Sequence, residues 1–246
     1  MHLAGFFGSA AASTETDIAA VSDGVLTIQS NKFQLFGDYD LLCSAAICTD
    51  IQRAKLSAPT FAPISDLWVR PIYDVALSYD YPPVANYLNR PFKLPNSENI
   101  GLSVYQDNAA AQDATGLIWI SKGVMPAPGG RVYTFRGTST TAAVNGQWTD
   151  LTMTWSNDLE GGMYAVVGGV HVSANGRGFR LQSTQQVDRP GGLSTPNVNL
   201  PTNPIFRMGR LGQWCTFRAE SIPNIQVLVD GTDASHEVYL DLVKIA

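Results

Sequence analysis

Charged side chains are scarce in this sequence, at 15% of 246 residues, and no cluster of lysine and arginine is present. Nucleic-acid binding depends on such residues to neutralise phosphates, and the net charge here is −5. We therefore expect no direct nucleic-acid binding. The sequence also lacks an apolar run of the ~20 residues that a membrane-spanning helix needs.

Cysteine and histidine are equally rare, with three of each. The cysteines are Cys43, Cys48 and Cys215. They do not form a disulfide framework, and we interpret them as small buried apolar residues. The histidines are His2, His171 and His236. A metal site on a β-sandwich needs closely spaced histidines with a carboxylate, and these are far apart. We interpret His171, in an apolar strand, as a packed or hydrogen-bonded imidazole.

Acidic residues that are close in sequence also fall short of a catalytic pattern. Glycoside hydrolysis needs two carboxyl groups that face each other across a groove. The closely spaced candidates are Asp38 with Asp40 and Glu237 with Asp241. Asp38 and Asp40 flank a tyrosine at a turn and are interpreted as solvated turn residues. We predict no catalytic residue, no cofactor and no metal, and we do not expect an enzyme.

What the sequence does contain is a repeat. Residues 37–56 read GDYDLLCSAAICTDIQRAKL, and residues 162–181 read GMYAVVGGVHVSANGRGFRL. Tyr39 recurs as Tyr164, and Leu56 recurs as Leu181, each 125 positions later. Each copy has a glycine, a tyrosine, a run of small and β-branched residues and a polar turn. This pattern is typical of a strand, a tight connection and a second strand.

The same offset relates further segments of the two halves. It places 26–28 over 151–153, 92–93 over 217–218 and 99–104 over 224–229, while 117–122 resembles 239–244 at an offset of 122. A nearly constant register across the chain indicates duplication of one β-domain. Abundant glycine, proline, serine and threonine favour a β-rich protein with many turns.

These patterns predict an all-β protein of two tandem eight-stranded antiparallel jelly rolls, a double jelly roll. The predicted parts are an N-terminal arm or short helix (1–22), a first jelly roll (23–123), a linker rich in proline and glycine (124–130) and a second jelly roll (131–246).

Two segments are candidates for contacts with other molecules. Residues 3–12 are apolar and are expected to form an arm that docks on a neighbour or touches a lipid surface. Residues 59–95 hold many prolines and tyrosines and are expected to form an outer turret or a subunit contact. The predicted assembly residues are Leu3, Phe6, Phe7, Tyr73, Tyr79, Tyr81 and Tyr87.

The duplicated β-domain, the short linker and the sparse charge resemble the double jelly-roll major capsid proteins of tailless icosahedral viruses, a lineage that includes membrane-containing bacteriophages and adenovirus. The segments that carry the resemblance are 26–56 with 151–181 and 92–104 with 217–229. The resemblance implies pseudo-hexameric homotrimers that tile an icosahedral shell. It also implies a virion location after synthesis in the host cytoplasm. The implied partners are other copies, penton or minor capsid proteins, and an internal membrane reached by the N-terminal arm.

Two other functions remain open. A tandem β-sandwich that binds carbohydrate, or a viral attachment protein, would expose its aromatic loops at 73–87. An enzyme on a jelly-roll scaffold is disfavoured by the histidine count, and metal analysis would distinguish it.

Overall fold

The computed structural model describes residues 1–61, 66–70, 84–196 and 203–246. The chain is all-β, as predicted, and one short 3₁₀ helix, Pro204–Phe206, lies among the described residues. The chain divides into two compact units. The first unit is Ala4–Gly123, and the second unit combines Val124–Ala246 with Met1–Leu3.

The first unit is built of mainly antiparallel strands. Its strands are β1 (His2–Ala10), β2 (Glu15–Ala20), β3 (Thr27–Gln29), β4 (Lys32–Gln34), β5 (Tyr39–Cys48), β6 (Ile51–Ser57), β7 (Leu67–Arg70), β8 (Val84–Asn86), β9 (Phe92–Leu94), β10 (Asn99–Gln106) and β11 (Gln112–Ser121). One run of neighbours is β1–β11–β5–β9, and a second is β2–β10–β6–β7. Pairing of Phe6 with Ala20 joins the two runs.

The second unit repeats this order. Its strands are β12 (Val132–Ser139), β13 (Thr149–Leu151), β14 (Thr154–Trp155), β15 (Met163–Val172), β16 (Gly176–Gln182), β17 (Gly191–Thr195), β18 (Cys215–Arg218), β19 (Asn224–Val229) and β20 (His236–Lys244). The runs are β12–β20–β15–β18 and β13–β19–β16–β17. β15 also pairs with β17 in parallel.

Matching β-bulges occur in both units. In the β5–β11 ladder Leu42 is the extra residue, and in the β15–β20 ladder it is Val167, 125 positions later. The β6–β10 ladder skips Gln52, and the β16–β19 ladder skips Arg177, again 125 positions later. Bulges are specific features that related domains keep, so their repetition supports duplication beyond a shared tendency to form strands.

The ladders correct part of the sequence alignment. Leu102 pairs with Leu56, and its counterpart opposite Leu181 is Ile225, so β10 and β19 are offset by 123 positions rather than 125. The segment 26–28 is not the counterpart of 151–153, because Ile18 pairs with Leu102 as Leu151 pairs with Ile225. The counterpart of β13 is therefore β2.

The N-terminal prediction was wrong in its structure. Residues 1–22 do not form a detached arm or a helix, because they contain strands β1 and β2, paired with β11 and β10. The segment predicted as a linker, 124–130, belongs to the second unit, where the carbonyl of Met125 accepts a hydrogen bond from the N–H of Gln213 at 2.8 Å.

Candidate functional site

Two of the predicted assembly residues lie inside the protein. Leu3 and Phe6 are fully buried. The Phe6 ring meets the edge of Phe33 at a centroid distance of 5.0 Å, within the apolar core of the first unit. Their assignment as contacts with a neighbour or a membrane was therefore wrong. An apolar strand gains more from burial in its own domain than an extended arm gains from occasional docking.

The other predicted assembly residues have different positions. Phe7 is half-buried, next to Phe6 on β1. Tyr87 packs its ring against Phe92 at 5.0 Å, and its hydroxyl lies 2.9 Å from the Ser44 hydroxyl. Burial raises the pKa of Tyr87, and the hydrogen bond with Ser44 opposes that shift. Tyr73, Tyr79 and Tyr81 lie outside the described residues.

The cysteines agree with the sequence interpretation, because all three are free and buried. Burial raises the pKa of Cys43 and of Cys215 to about 12, which keeps both thiols protonated and unreactive at neutral pH. β5, which carries Cys43 and Cys48, is buried along nearly its whole length, which matches its nearly apolar composition.

A buried chain of polar groups crosses the second unit. His171 Nδ1 lies 2.7 Å from the Ser194 hydroxyl, and His171 Nε2 lies 3.2 Å from His236 Nδ1. His236 Nε2 lies 3.1 Å from the carbonyl oxygen of Thr141. The two imidazole rings are stacked with centroids 5.3 Å apart. His171 is therefore hydrogen-bonded on both ring nitrogens, as its interpretation required.

The carbonyl at the end of this chain determines its direction. A carbonyl only accepts, so the Nε2–H of His236 donates to Thr141. In a neutral His236 the Nδ1 then carries no proton and accepts from the Nε2–H of His171. The Nδ1 of His171 then accepts from the Ser194 hydroxyl. With both imidazoles neutral, every donor in the chain has an acceptor, which is the condition for burying polar groups at low cost.

A nucleophilic triad has the same arrangement: a serine hydroxyl bonded to a histidine, which a third group orients. The surroundings do not suit that chemistry. His171 is fully buried, and burial lowers its pKa to about 3, with a further lowering by His236 and an opposing effect of Asp233. A general base works best with a pKa near the working pH and needs access to substrate. Ser194 and His236 are buried as well. We therefore interpret these hydrogen-bonded side chains as structural.

No metal centre is found among the described residues, which contain no group of three or more histidine, cysteine, aspartate or glutamate side chains placed to hold an ion. The two stacked histidines are directly hydrogen-bonded, and a metal between them would have to displace that bond.

No helix in the described part of the chain is long and apolar enough to cross a membrane.

The acidic residues of β20 are each bound to a separate arginine. Asp241 is fully buried and accepts two hydrogen bonds from Arg207, at 2.6 and 2.8 Å. Glu237 accepts hydrogen bonds from Tyr239 and Arg136, and these lower its pKa. A glycosidase acid needs a raised pKa. Glu237 therefore has the environment of a structural carboxylate, and Asp241 is buried in an ion pair with Arg207.

Sequence reasoning missed the association of His171 with His236, because 65 positions separate them. The signal that could have found it is the repeat itself. The repeat places β15 and β20 in the positions of β5 and β11, which are neighbours.

No protein-family model matches this sequence, and comparisons with curated proteins and with solved structures gave no significant match.

Proposed function

We propose that this protein is a major capsid protein that forms pseudo-hexameric homotrimers and assembles as an icosahedral viral shell. The observation that carries the proposal is the strand order shared by the two units. In each unit, eight strands can be numbered along the chain, and their neighbours then follow the orders 1–8–3–6 and 2–7–4–5. Folding a long hairpin with the pairs 1–8, 2–7, 3–6 and 4–5 into two sheets would produce these orders, and this supports a jelly roll in each unit.

The eight strands of each unit are a subset of those present. In the first unit they are β1, β2, β5, β6, β7, β9, β10 and β11, and in the second they are β12, β13, β15, β16, β17, β18, β19 and β20. The remaining short strands, β3, β4, β8 and β14, lie in connections between them. The matching bulges at Leu42 and Val167 support descent of both units from one domain.

Tandem copies of one domain suit a shell because three chains then supply six similar domains. A trimer of such chains has an approximately sixfold outline, and similar edges can meet at every side of it. The low proportion of charged residues also suits a surface that other copies cover, because charged groups are depleted at the centres of protein interfaces.

The proposed location is the virion, after synthesis in the host cytoplasm. The proposed partners are other copies of the chain and penton or minor capsid proteins. Contact with an internal membrane would have to use residues other than Leu3 and Phe6, because both are buried.

Native mass spectrometry followed by negative-stain imaging of the same sample tests the proposal. We expect a homotrimer with a near-hexagonal outline, or closed shells. A protein that stays monomeric at concentrations where it is soluble would contradict the capsid function.

Carbohydrate binding is the second candidate, and an exposed tryptophan favours it. Trp68 on β7 is 39% exposed, and the Lys55 ammonium lies 5.8 Å from its ring centroid. Lys55 also lies 3.1 Å from Asp66, which lines a pocket of about 530 Å³ together with Gln29, Ser57 and Asn99. Amides and hydroxyls suit sugar hydroxyls, and an aromatic ring suits a sugar face. Glycan-array binding that is lost in Trp68→Ala would favour this candidate.

A further inference from the structure

In both units the end of the last strand lies beside the start of an earlier strand, β11 beside β5 and β20 beside β15. A glycine and a tyrosine mark the start of that earlier strand, and we call this place the corner. In the first unit Gly37 has a positive φ of 116°, and the Lys122 ammonium lies 5.0 Å from the ring centroid of Tyr39. In the second unit Gly162 has a φ of 139° and precedes Tyr164, which pairs with Lys244. The repeat therefore allows one corner to be compared with the other.

In the second unit the chain continues past the lysine and fills this corner. The N–H of Ile245 donates to the carbonyl of Met163 at 2.9 Å, and the N–H of Met163 donates to the carbonyl of Ala246 at 2.6 Å. A Cβ atom on Gly162 would collide with the Ala246 carbonyl oxygen. An extended main-chain segment thus lies against the start of β15.

In the first unit the chain leaves the corner instead. β11 ends at Ser121, and the Ser121 hydroxyl both donates to the carbonyl of Gly123 and accepts from the N–H of Gly123 at 3.1 Å. The residue that corresponds to Met163 is Asp38. Asp38 lines an open pocket of about 420 Å³, and the other lining residues include Tyr39, Asp40, Lys93, Ser121 and Lys122.

We propose that this pocket binds an extended peptide segment of a partner protein, which pairs with the main chain of Asp38 as residues 245–246 pair with Met163. Strand addition of this kind takes its affinity from main-chain hydrogen bonds. The charges of the pocket are partly paired within the protein, since Lys93 Nζ lies 2.6 Å from Asp40 and the Asp38 carboxylate accepts from Asn96 at 3.0 Å. In the second unit the residues that pair at this position are Ile245 and Ala246, so the segment expected at Asp38 is uncharged and aliphatic there. This inference does not depend on the capsid function.

The first test uses a fluorescein-labelled peptide with the sequence of residues 241–246, DLVKIA, and the full-length protein. We expect saturable binding by fluorescence anisotropy with a Kd below about 1 mM. A peptide N-methylated at the isoleucine, which cannot donate the hydrogen bond expected at Asp38, should lose at least about tenfold in affinity. No saturable binding, or equal binding of both peptides, would overturn the proposal.

Matched variants then locate the site. Asp38→Pro removes the main-chain N–H, whereas Asp38→Ala retains it. We expect the proline variant to bind the peptide at least about tenfold more weakly than the alanine variant, because only the alanine variant retains the main-chain N–H. Peptide binding at β15 by displacement of residues 245–246 would be unaffected by either change, and that result would overturn the assignment to the first unit. Equal loss in both variants would also overturn it, because binding would then depend on the carboxylate.

Discussion

His171 lies in an environment far from that of a solvated side chain. Its ordinary pKa of 6.5 falls to about 3 because it is fully buried and stacked on His236. Its neighbours in the chain of polar groups are the Ser194 hydroxyl and His236, and the Asp233 carboxylate also acts on it electrostatically. The folded second unit therefore favours the neutral imidazole.

We expect the second unit to lose stability in acid because of this residue. The folded-state pKa lies below the unfolded-state value, so the stabilisation is complete above pH 6.5 and is lost as the pH falls toward about 3. Within that window the unfolding equilibrium constant should rise by up to about tenfold per pH unit. Urea unfolding followed by tryptophan fluorescence at a series of pH values measures this.

His171→Gln is the control, since an amide keeps a donor and an acceptor but does not titrate in this range. The variant should be less stable at neutral pH and should have a shallower decline below pH 6.5. An acid slope identical to that of the parent protein would show that His171 does not cause it.

Asp241 and Arg207 form an ion pair, and the carboxylate side of this pair is buried. The carboxylate is fully buried and also accepts from the N–H of Met208 at 3.2 Å. The Asp241 hydrogen bonds raise the pKa of Arg207. Asp241→Ala leaves a partly buried cation without its partner and should cost about 3–5 kcal/mol of unfolding free energy. Arg136→Ala, at the exposed pair with Glu237, is the comparison and should change stability far less. Chemical denaturation of both variants decides this, and equal effects would contradict it.

Among the strands, β5 shows why alternation alone misplaces side chains. Tyr39 and Leu41 belong to the first unit's core, and so do Ala46 and Cys48. Strict alternation would put odd and even positions on opposite faces. The bulge at Leu42 changes the phase, so both sets face the same core. The apolar run predicted the strand but carried no sign of the bulge.

β1 is the strand whose role changed most between prediction and structure. It lies between β2 and β11, and its side chains help to fill the core. Removal of residues 1–20 should therefore prevent folding of the first unit, rather than weaken assembly alone. Circular dichroism and thermal melting of the truncated protein would test this, and a parent-like melting transition would contradict it.

Point substitutions on the same strand separate folding from assembly. Phe6→Ala should cost about 3–5 kcal/mol, because it empties a fully buried ring site. Phe7→Ala, at a half-buried position, should cost less and, on the capsid proposal, should weaken self-association. Denaturation and native mass spectrometry of both variants measure the two effects, and a parent-like assembly of Phe7→Ala would remove Phe7 from the interface.

At the scale of the whole molecule, the connections between corresponding strands of the two units differ in length. The offset between corresponding residues is 125 at β5 and β6, 123 at β10 and 122 at β11. The ladders and their bulges keep the same register in both units, while the connections differ in length. This is the expected outcome of duplication, because loops tolerate insertion and deletion better than paired strands do.

Assembly of the whole chain should depend little on salt. Charged residues are sparse, so the proposed trimer is expected to be held mainly by apolar and neutral polar contacts. Salt at about 0.5 M screens exposed charges and should leave the trimer intact. Native mass, or light scattering at low and high salt, measures this. Dissociation at high salt would indicate an electrostatic interface.

The sequence by itself determined the all-β class, the repeated register of the two halves and the burial of the cysteines, because these follow from local periodicity, turn residues and composition. The tertiary structure alone decided which distant residues meet. It placed His171 on His236, enclosed Leu3 and Phe6 and set the bulges that rotate Tyr39 and Leu41 into the core. These outcomes depend on strand pairing between segments far apart in the chain, and the free energy of that pairing comes from packing that no single segment contains.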